Sequence, residues 1–309
     1  MKYQILKMSF PGAVHFGDGG LATCTTVLCA DTVFSALCCE AARNGENMVE
    51  QLVADVKGGK LIISDALPFI RDRYYIPKPL LERSGDHESD PSVAKLYKKL
   101  NYLPINRLDD YLAGTLDVTE ETNYFHDHYG KSFLLQKARV SGLENSEPYA
   151  VGLFRFSEGS GLYICVGYEE DEIFFRLLEI FEPLQYSGIG GKVSSGYGQF
   201  RIRIGNCIPD FEERFSSNRR EKKMTLSICL PKDDELEQSL DGARYLLVKR
   251  SGFVASFRYA DTFRKKQDCF LMRAGSVFCH EFQGDVFDVS AGGSHPVYRY
   301  AKPFFLEVI

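Results

Sequence analysis

The stretch from Tyr186 to Phe200 constrains this 309-residue chain more than any other. Gly188, Gly190, Gly191, Gly196 and Gly198 make five of the eleven residues from 188 to 198 glycine. Positive φ is open to each, and no side chain shields the backbone there. Such a segment is a bend rather than the interior of a helix or strand. Its N–H groups can approach a phosphate through concave sets of donors. Lys192 adds a point charge, and Ser194 and Ser195 add hydroxyl donors. No Asp or Glu lies between Leu184 and Pro209, a span that holds Lys192, Arg201 and Arg203. An anion-binding loop and a flexible connector are the two readings of this pattern.

The flanks place the bend between a helix and a strand. Ile173, Phe174, Leu177, Leu178 and Phe181 recur at helical spacing, with Asp171 as N-cap, and Pro183 sets the helix end near Phe181. Beyond the bend, Phe200, Ile202 and Ile204 alternate with Arg201 and Arg203, which predicts a strand with one apolar and one basic face. Helix, glycine loop, strand is the reverse of the nucleotide-binding order, in which the strand comes first. Gly191-Lys192 also lacks the P-loop spacing, because Tyr186 occupies the first glycine position and Val193 the Ser/Thr position.

Composition narrows the class. The length leaves room for two domains, and 44% hydrophobic residues exclude wholesale disorder. A net charge of −5 argues against a promiscuous nucleic-acid binder but leaves room for a local basic groove. The nine cysteines are odd in number, form no CxxC and lie mostly in apolar runs. They read as reduced thiols of a soluble cytoplasmic protein, not as a disulfide frame or zinc site. Met1-Lys-Tyr-Gln-Ile-Leu-Lys7 does not read as a signal peptide, and no apolar run approaches the ~18–20 residues of a membrane span.

Along the chain, Tyr3–Phe10 reads as a strand running into a loop that holds His15. Asp31 is expected to cap a helix through Ala41, and Met48–Val56 reads as a second helix before a strand at Lys60–Ser64. Glu82–Pro91 reads as a polar loop, Ser92–Leu100 as a short basic helix, and Leu116–Tyr129 shows no period. Ser132–Val140, Ala150–Phe156 and Leu162–Gly167 read as antiparallel strands, with a hairpin tip at 142–148. Pro209–Lys223 reads as a linker carrying Arg219, Arg220, Lys222 and Lys223. Arg244–Phe257 reads as a strand pair turning at Ser251-Gly252, within a basic run from Arg244 to Lys266. Strand, helix, strands, helix, strand predicts an α+β chain of two ferredoxin-like (βαββαβ) domains in tandem, at 1–210 and 211–309, the second degenerate.

Several motifs together carry a resemblance that runs nearly end to end. They are Val14-His15-Phe16-Gly17 before Asp31-Thr-Val-Phe-Ser-Ala-Leu37, Ile76-Pro-Lys-Pro79, Gly188-Ile-Gly-Gly-Lys-Val-Ser-Ser-Gly-Tyr-Gly198, Ala274-Gly-Ser-Val-Phe278 and His295-Pro-Val-Tyr-Arg-Tyr300. The chain resembles the RAMP-superfamily subunit that holds the 5′ tag of the guide RNA in type III-A, Csm-type CRISPR effector complexes. The resemblance implies paired ferredoxin-like folds with a hairpin thumb between Leu116 and Ala150. It also implies docking on a polymerase-like scaffold subunit and a backbone RAMP subunit, with neither nuclease activity nor a cofactor. It points to His15, Lys78, Gly188, Gly190, Gly191, Lys192, Ser194, Ser195, Gly196, Tyr197 and Gly198 as RNA contacts. Arg139 is an expectation at the thumb tip, and Arg250 one within the family-like turn Lys249-Arg-Ser-Gly-Phe253.

Residue chemistry agrees with a held single strand: backbone amides for phosphates, Lys192 for charge, Tyr197 for base stacking. Arg201 and Arg203 read either as groove charges or as solvated ones. For His15 three roles stand open: RNA contact, loop packing, or general acid/base in a metal-independent endoribonuclease that matures precursor guide RNA. Triphosphate handling needs a Mg²⁺-binding carboxylate pair near the loop, and the acid-free stretch from Leu184 to Pro209 speaks against it. His126 and His128 share a face at strand spacing but have no third metal ligand in reach of the pattern. Tyr74, Tyr75 and Cys38 read as core.

Overall fold

Lys2–Ser9 forms the first strand (β1), and its alternation divides the molecule. Ile5 faces one apolar core while Leu6 and Met8 face another, because successive side chains leave a strand on opposite sides. The structure is a computed structural model that describes residues 1–81, 91–141, 145–216, 221–256 and 259–308. Of the polar loop expected at 82–91, residues 82–90 lie outside the described residues and Pro91 opens a helix; of the hairpin tip expected at 142–148, residues 142–144 lie outside them and 145–148 belong to a strand. Arg219, Arg220 and Arg258 lie outside them as well.

In chain order β1 is followed by helices α1 (Ala30–Asn44) and α2 (Glu46–Lys57), then strands β2 (Leu61–Ile63), β3 (Leu67–Ile70) and β4 (Arg73–Pro77). Next come α3 (Pro91–Lys99), β5 (Tyr102–Pro104), α4 (Leu108–Ala113) and α5 (Val118–Tyr129). A hairpin of two long strands, β6 (Gly130–Ser141) and β7 (Asn145–Phe156), leads to β8 (Ser160–Tyr168), α6 (Asp171–Ser187) and β9 (Arg201–Gly205). The last third holds α7 (Pro209–Ser216), β10 (Lys223–Thr225), α8 (Leu236–Leu240), β11 (Leu247–Arg250), β12 (Cys269–Met272), β13 (Val277–Phe278), β14 (Val286–Asp288), β15 (Tyr298–Tyr300) and β16 (Phe305–Glu307).

The main sheet has seven antiparallel strands in the order β5-β4-β3-β8-β1-β9, with β2 also paired to β8. All nine residues of β8 are buried, as suits a central strand covered on both faces. One face packs under α1, α2 and α6, through Phe34, Leu37, Val53, Phe174, Leu177 and Phe181. The other packs under α3, α4 and α7, through Tyr97, Leu108, Tyr111 and Phe211. The chain beyond residue 210 enters both cores: Ile228, Leu271 and Tyr300 on the first face, Met224, Phe304 and Leu306 on the second. Tyr300 ties the two stretches further, its hydroxyl donating to Ile63 O at 3.0 Å and accepting from Ile63 N at 2.9 Å.

Several expectations are corrected. Asp31 does not cap α1; it lies inside the first turn, and the Ala30 N–H is taken at 2.7 Å by Asp65 Oδ1, from the connection between β2 and β3. Asp171 does not cap α6, since its carboxylate pairs with Lys2. Pro183 does not end α6, which runs to Ser187 because buried Leu184 continues the apolar stripe past the lost N–H. The segment 118–129 is a helix, capped by Asp117 Oδ1 accepting from Glu120 N at 3.0 Å. His126 and His128 are therefore not on one strand face. Among the described residues no cluster of three or more His, Cys, Asp or Glu could hold a metal. Residues 209–216 are helical rather than a linker, anchored by fully buried Phe211. β11 pairs with β12, not with a partner across Ser251-Gly252. Of the cysteines, Cys39 and Cys279 are exposed, and all nine are free thiols.

Candidate nucleic-acid interface

Three segments converge on the glycine bend: the bend, the loop after β1, and the hairpin β6–β7. Ile189 N donates to Gly198 O at 2.9 Å and closes the base of the bend. Gly191 N donates to His15 O at 2.8 Å and Gly198 N to Ala13 O at 3.3 Å, fastening it to the first loop. That loop is fastened in turn to the hairpin by the reciprocal pair Val14–Phe154, at 2.8 and 2.9 Å.

Close packing is what demands glycine here. A Cβ on Gly191 would stand 2.7 Å from His15 Cδ2, and one on Gly190 would stand 2.8 Å from His15 O. At Gly198, where φ is +79°, a Cβ would stand 2.2 Å from Ile189 O. The amides are accordingly not bare at every glycine: those of Gly188, Gly191, Gly196 and Gly198 donate within the protein. The unpartnered amides among the described residues include the consecutive set on Lys192, Val193 and Ser194. Lys192 is left-handed (φ 60°, ψ 26°) and begins a single 3₁₀ turn at Val193–Ser195 that is closed by Ser195 N to Lys192 O at 2.9 Å. Successive N–H groups at such a handedness change form an anion-binding concavity. Val193, Ser194, Ser195 and Gly196 are exposed, while Gly188 and Ile189 are buried beneath them.

Two tyrosines and two lysines border this outer rim. Tyr197 and Tyr149 pack with Leu135 on a small apolar cluster of Ala13, Val151 and Leu153. Lys137 Nζ lies 4.9 Å from the Tyr197 ring centre, and Lys192 Nζ 5.6 Å from that of Tyr149. Lys137 and Tyr149 are cross-strand partners in the hairpin. Tyr186, 77% exposed at the end of α6, is tied to the bend through its carbonyl, which accepts from Gln199 Nε2 at 3.2 Å. Sequence reasoning assigned no role to Tyr149, Lys137 or Tyr186. The signal for the first two is the hairpin register, which emerges only once the strands are aligned.

The remaining expected residues are dispersed. His15 is buried at 6% exposure, and its Nδ1–H donates to Gly152 O at 2.7 Å. Arg201 and Arg203 are exposed on β9, at the sheet edge that follows the bend, opposite Ser9 and Lys7. Lys78 lies just past β4, four strands away from β9, or roughly 19 Å at the usual strand spacing. Its Nζ donates to Tyr97 O at 2.8 Å. Arg250 is engaged by Asp31 and Thr32, with contacts of 2.8–2.9 Å. Arg139 is in β6 opposite Glu147, and its side chain is outside the described residues.

Mixed α+β and built on antiparallel sheets, the fold is similar to that of the RAMP subunits of type III-A CRISPR complexes. The chain belongs to the Csm4 family. Residues 218–308 match the family model described as the CRISPR Csm4 C-terminal domain. The whole chain is 40% identical over 312 residues to the CRISPR system Cms protein Csm4 of Mycobacterium tuberculosis, covering 98% of that protein. It is 34% identical over 322 residues to the protein of the same name from Streptococcus thermophilus, covering 99% of it. The fold matches the crystal structure of a Csm3-Csm4 subcomplex of the type III-A interference complex at a TM-score of 0.69, with 20% identity and 99% of each chain covered. It matches a Csm1-Csm4 cassette in complex with AMPPNP at 0.66, with 22% identity, covering 100% of this chain and 98% of that one. Among the described residues, no helix is long and apolar enough to cross a membrane.

Proposed function

We propose that this chain is the non-catalytic subunit that holds the repeat-derived 5′ tag of the guide RNA in a cytoplasmic type III-A effector complex. The observation that carries the reading is the run of unpartnered amides at half-buried Lys192 and exposed Val193 and Ser194, bordered by Tyr149, Tyr197, Lys137 and Lys192. Amides and ammonium groups take phosphates, and tyrosine faces take bases without regard to sequence. Arg201 and Arg203 extend the positive edge along β9. We read the hairpin β6–β7 as the thumb. We read the order β3-β8-β1-β9, with α1 after β1 and α6 between β8 and β9, as a ferredoxin-like unit, and the last third as its degenerate second copy. The scaffold and backbone subunits are the proposed protein partners, in keeping with relatives crystallised with Csm1 or Csm3.

The burial of His15 supports the non-catalytic reading. A general acid or base must reach the 2′-hydroxyl or the leaving oxygen. The His15 ring is instead covered by Gly191 and donates to a backbone carbonyl. Incubating the purified protein with end-labelled RNA carrying the tag, in EDTA, tests this. Retained, intact RNA is the expected result; cleavage that disappears in His15→Ala establishes the endoribonuclease instead.

A further inference from the structure

Away from the glycine bend, the stretch from 244 to 273 exposes apolar side chains on a two-stranded ribbon. The inner face of β11–β12 is committed: Leu271 is fully buried, Val248 and Cys269 pack on the main core, and Arg250 meets Asp31. On the outer face Leu247 lies opposite Met272, which is buried with Cys229, Phe278 and Phe282, and Lys249 lies opposite Phe270. Leu247 and Phe270 are therefore diagonal neighbours within side-chain reach. Both are 56% exposed, and adjoining Leu246 is 51% exposed. The chain then turns back on itself, Lys266 N donating to Gly252 O at 2.8 Å and Val254 N to Arg264 O at 2.9 Å. That turn presents Phe253, 57% exposed, with Lys265 Nζ 5.8 Å from its ring centre. Arg264 and Lys265 give this end an exposed basic rim.

We propose that the outer face of β11–β12 is a protein-docking surface for a subunit that presents an apolar patch ringed by carboxylates. Exposed apolar side chains gathered on one small element mark an interaction site rather than scattered surface residues. The chemistry favours protein over RNA. Leu246 and Leu247 have no π face on which a base stacks, and Lys249 is already neutralised by Asp268 at 2.7 Å. A second copy of this chain is a poorer fit, because its matching face carries the same Arg264 and Lys265 and offers no ring of carboxylates to them. The proposal does not depend on the RNA reading of the glycine bend, which involves a separate set of residues.

The test is the Leu247→Glu/Phe270→Glu variant of the full chain, mixed with the purified scaffold subunit and backbone RAMP subunit of the same complex. Calorimetry and gel filtration read subunit binding, and labelled tag RNA reads the glycine bend. The expected result is binding to one of the two subunits weakened by about 30-fold or more, the scale of an interface hot spot, with melting temperature and RNA affinity unchanged. Arg264→Glu/Lys265→Glu should slow association with the same subunit and reduce its salt dependence. Unchanged binding to both subunits overturns the proposal. So does lost RNA affinity with subunit binding kept, and so does a parent chain that sediments as a dimer while the variant is monomeric. If the double Glu variant has no melting transition, Leu247→Ser/Phe270→Ser is read against the same outcomes.

Discussion

Arg250 lays its guanidinium along the carboxylate of Asp31, Nε to Oδ2 at 2.9 Å and Nη2 to Oδ1 at 2.8 Å, across 219 residues of sequence. Arg299 reaches the same carboxylate, Nη1 to Oδ2 at 2.5 Å. Only 2% of the Asp31 side chain and 5% of that of Arg299 is exposed. One acid in the first turn of α1 thus holds two cations from the last third of the chain. Asp31→Ala leaves both arginines without their counter-charge, a change that costs about 3–5 kcal/mol in buried pairs. Urea denaturation should show a loss of that size; a loss below about 1 kcal/mol contradicts the role assigned to this triad.

Asp65 joins the same stretches through one atom, Oδ1, which accepts from Ala30 N at 2.7 Å and Ile228 N at 2.9 Å. Burial raises its pKa to about 7, against the lowering effect of those two N–H donors. An unfolded Asp titrates near ~3.9. Between those values the folded chain holds a proton that the unfolded chain has released. The stability due to Asp65 is therefore greatest below about pH 4, falls as the pH rises to about 7, and is level above. Asp65→Asn removes this dependence, so its melting temperature relative to the parent should rise between pH 5 and pH 8. An offset that is the same at both pH values contradicts the assignment.

The glycines of the bend should not respond alike. Gly191→Val drives a side chain into His15 and should detach the bend from the first loop, abolishing tag-RNA binding. Gly196 has open space around its Cβ position and a φ of +83°, so Gly196→Ala meets only backbone strain, about 1–2 kcal/mol. Anisotropy titrations of the two variants with tag RNA give the comparison; equal losses would show that strain, not packing on His15, governs the bend.

Lys192 and Tyr197 should separate charge from stacking. Lys192→Ala should lower the slope of log affinity against log salt by about 0.7, the effect of one phosphate contact on a single strand. Tyr197→Ala should cost ~1–3 kcal/mol at every salt concentration, leaving the slope unchanged. A Tyr197 variant that binds like the parent removes the stacking role.

The main elements were legible where one periodicity ruled: the α1 and α6 stripes, the β1 alternation and the β6–β7 pair all follow from spacing alone. The bend was legible as a bend, yet the reason for its glycines was not. The sequence pattern pointed to bare amides, whereas Gly191 and Gly198 are needed because His15 and Ile189 approach them closely. Long-range partners were illegible by nature. Asp31 and Asp171 have the local signature of helix caps, and only the folded chain brings Arg250 and Lys2 to them. Helix α5 was missed because half-buried Phe125 and buried Tyr129 pack on Tyr75, Tyr102 and Phe154 from other elements, so no single apolar stripe marks it. Tyr149 and Lys137 joined the interface through a cross-strand register that neither residue announces.

Photocrosslinking tests the central claim most directly. Guide RNA carrying 4-thiouridine in its repeat-derived 5′ segment is bound to the full chain, irradiated and mapped by mass spectrometry. The account predicts adducts on the segment from Tyr186 to Tyr197 and on Tyr149 or Lys137, with the RNA intact. Adducts confined to other surfaces, with none on these segments, contradict it.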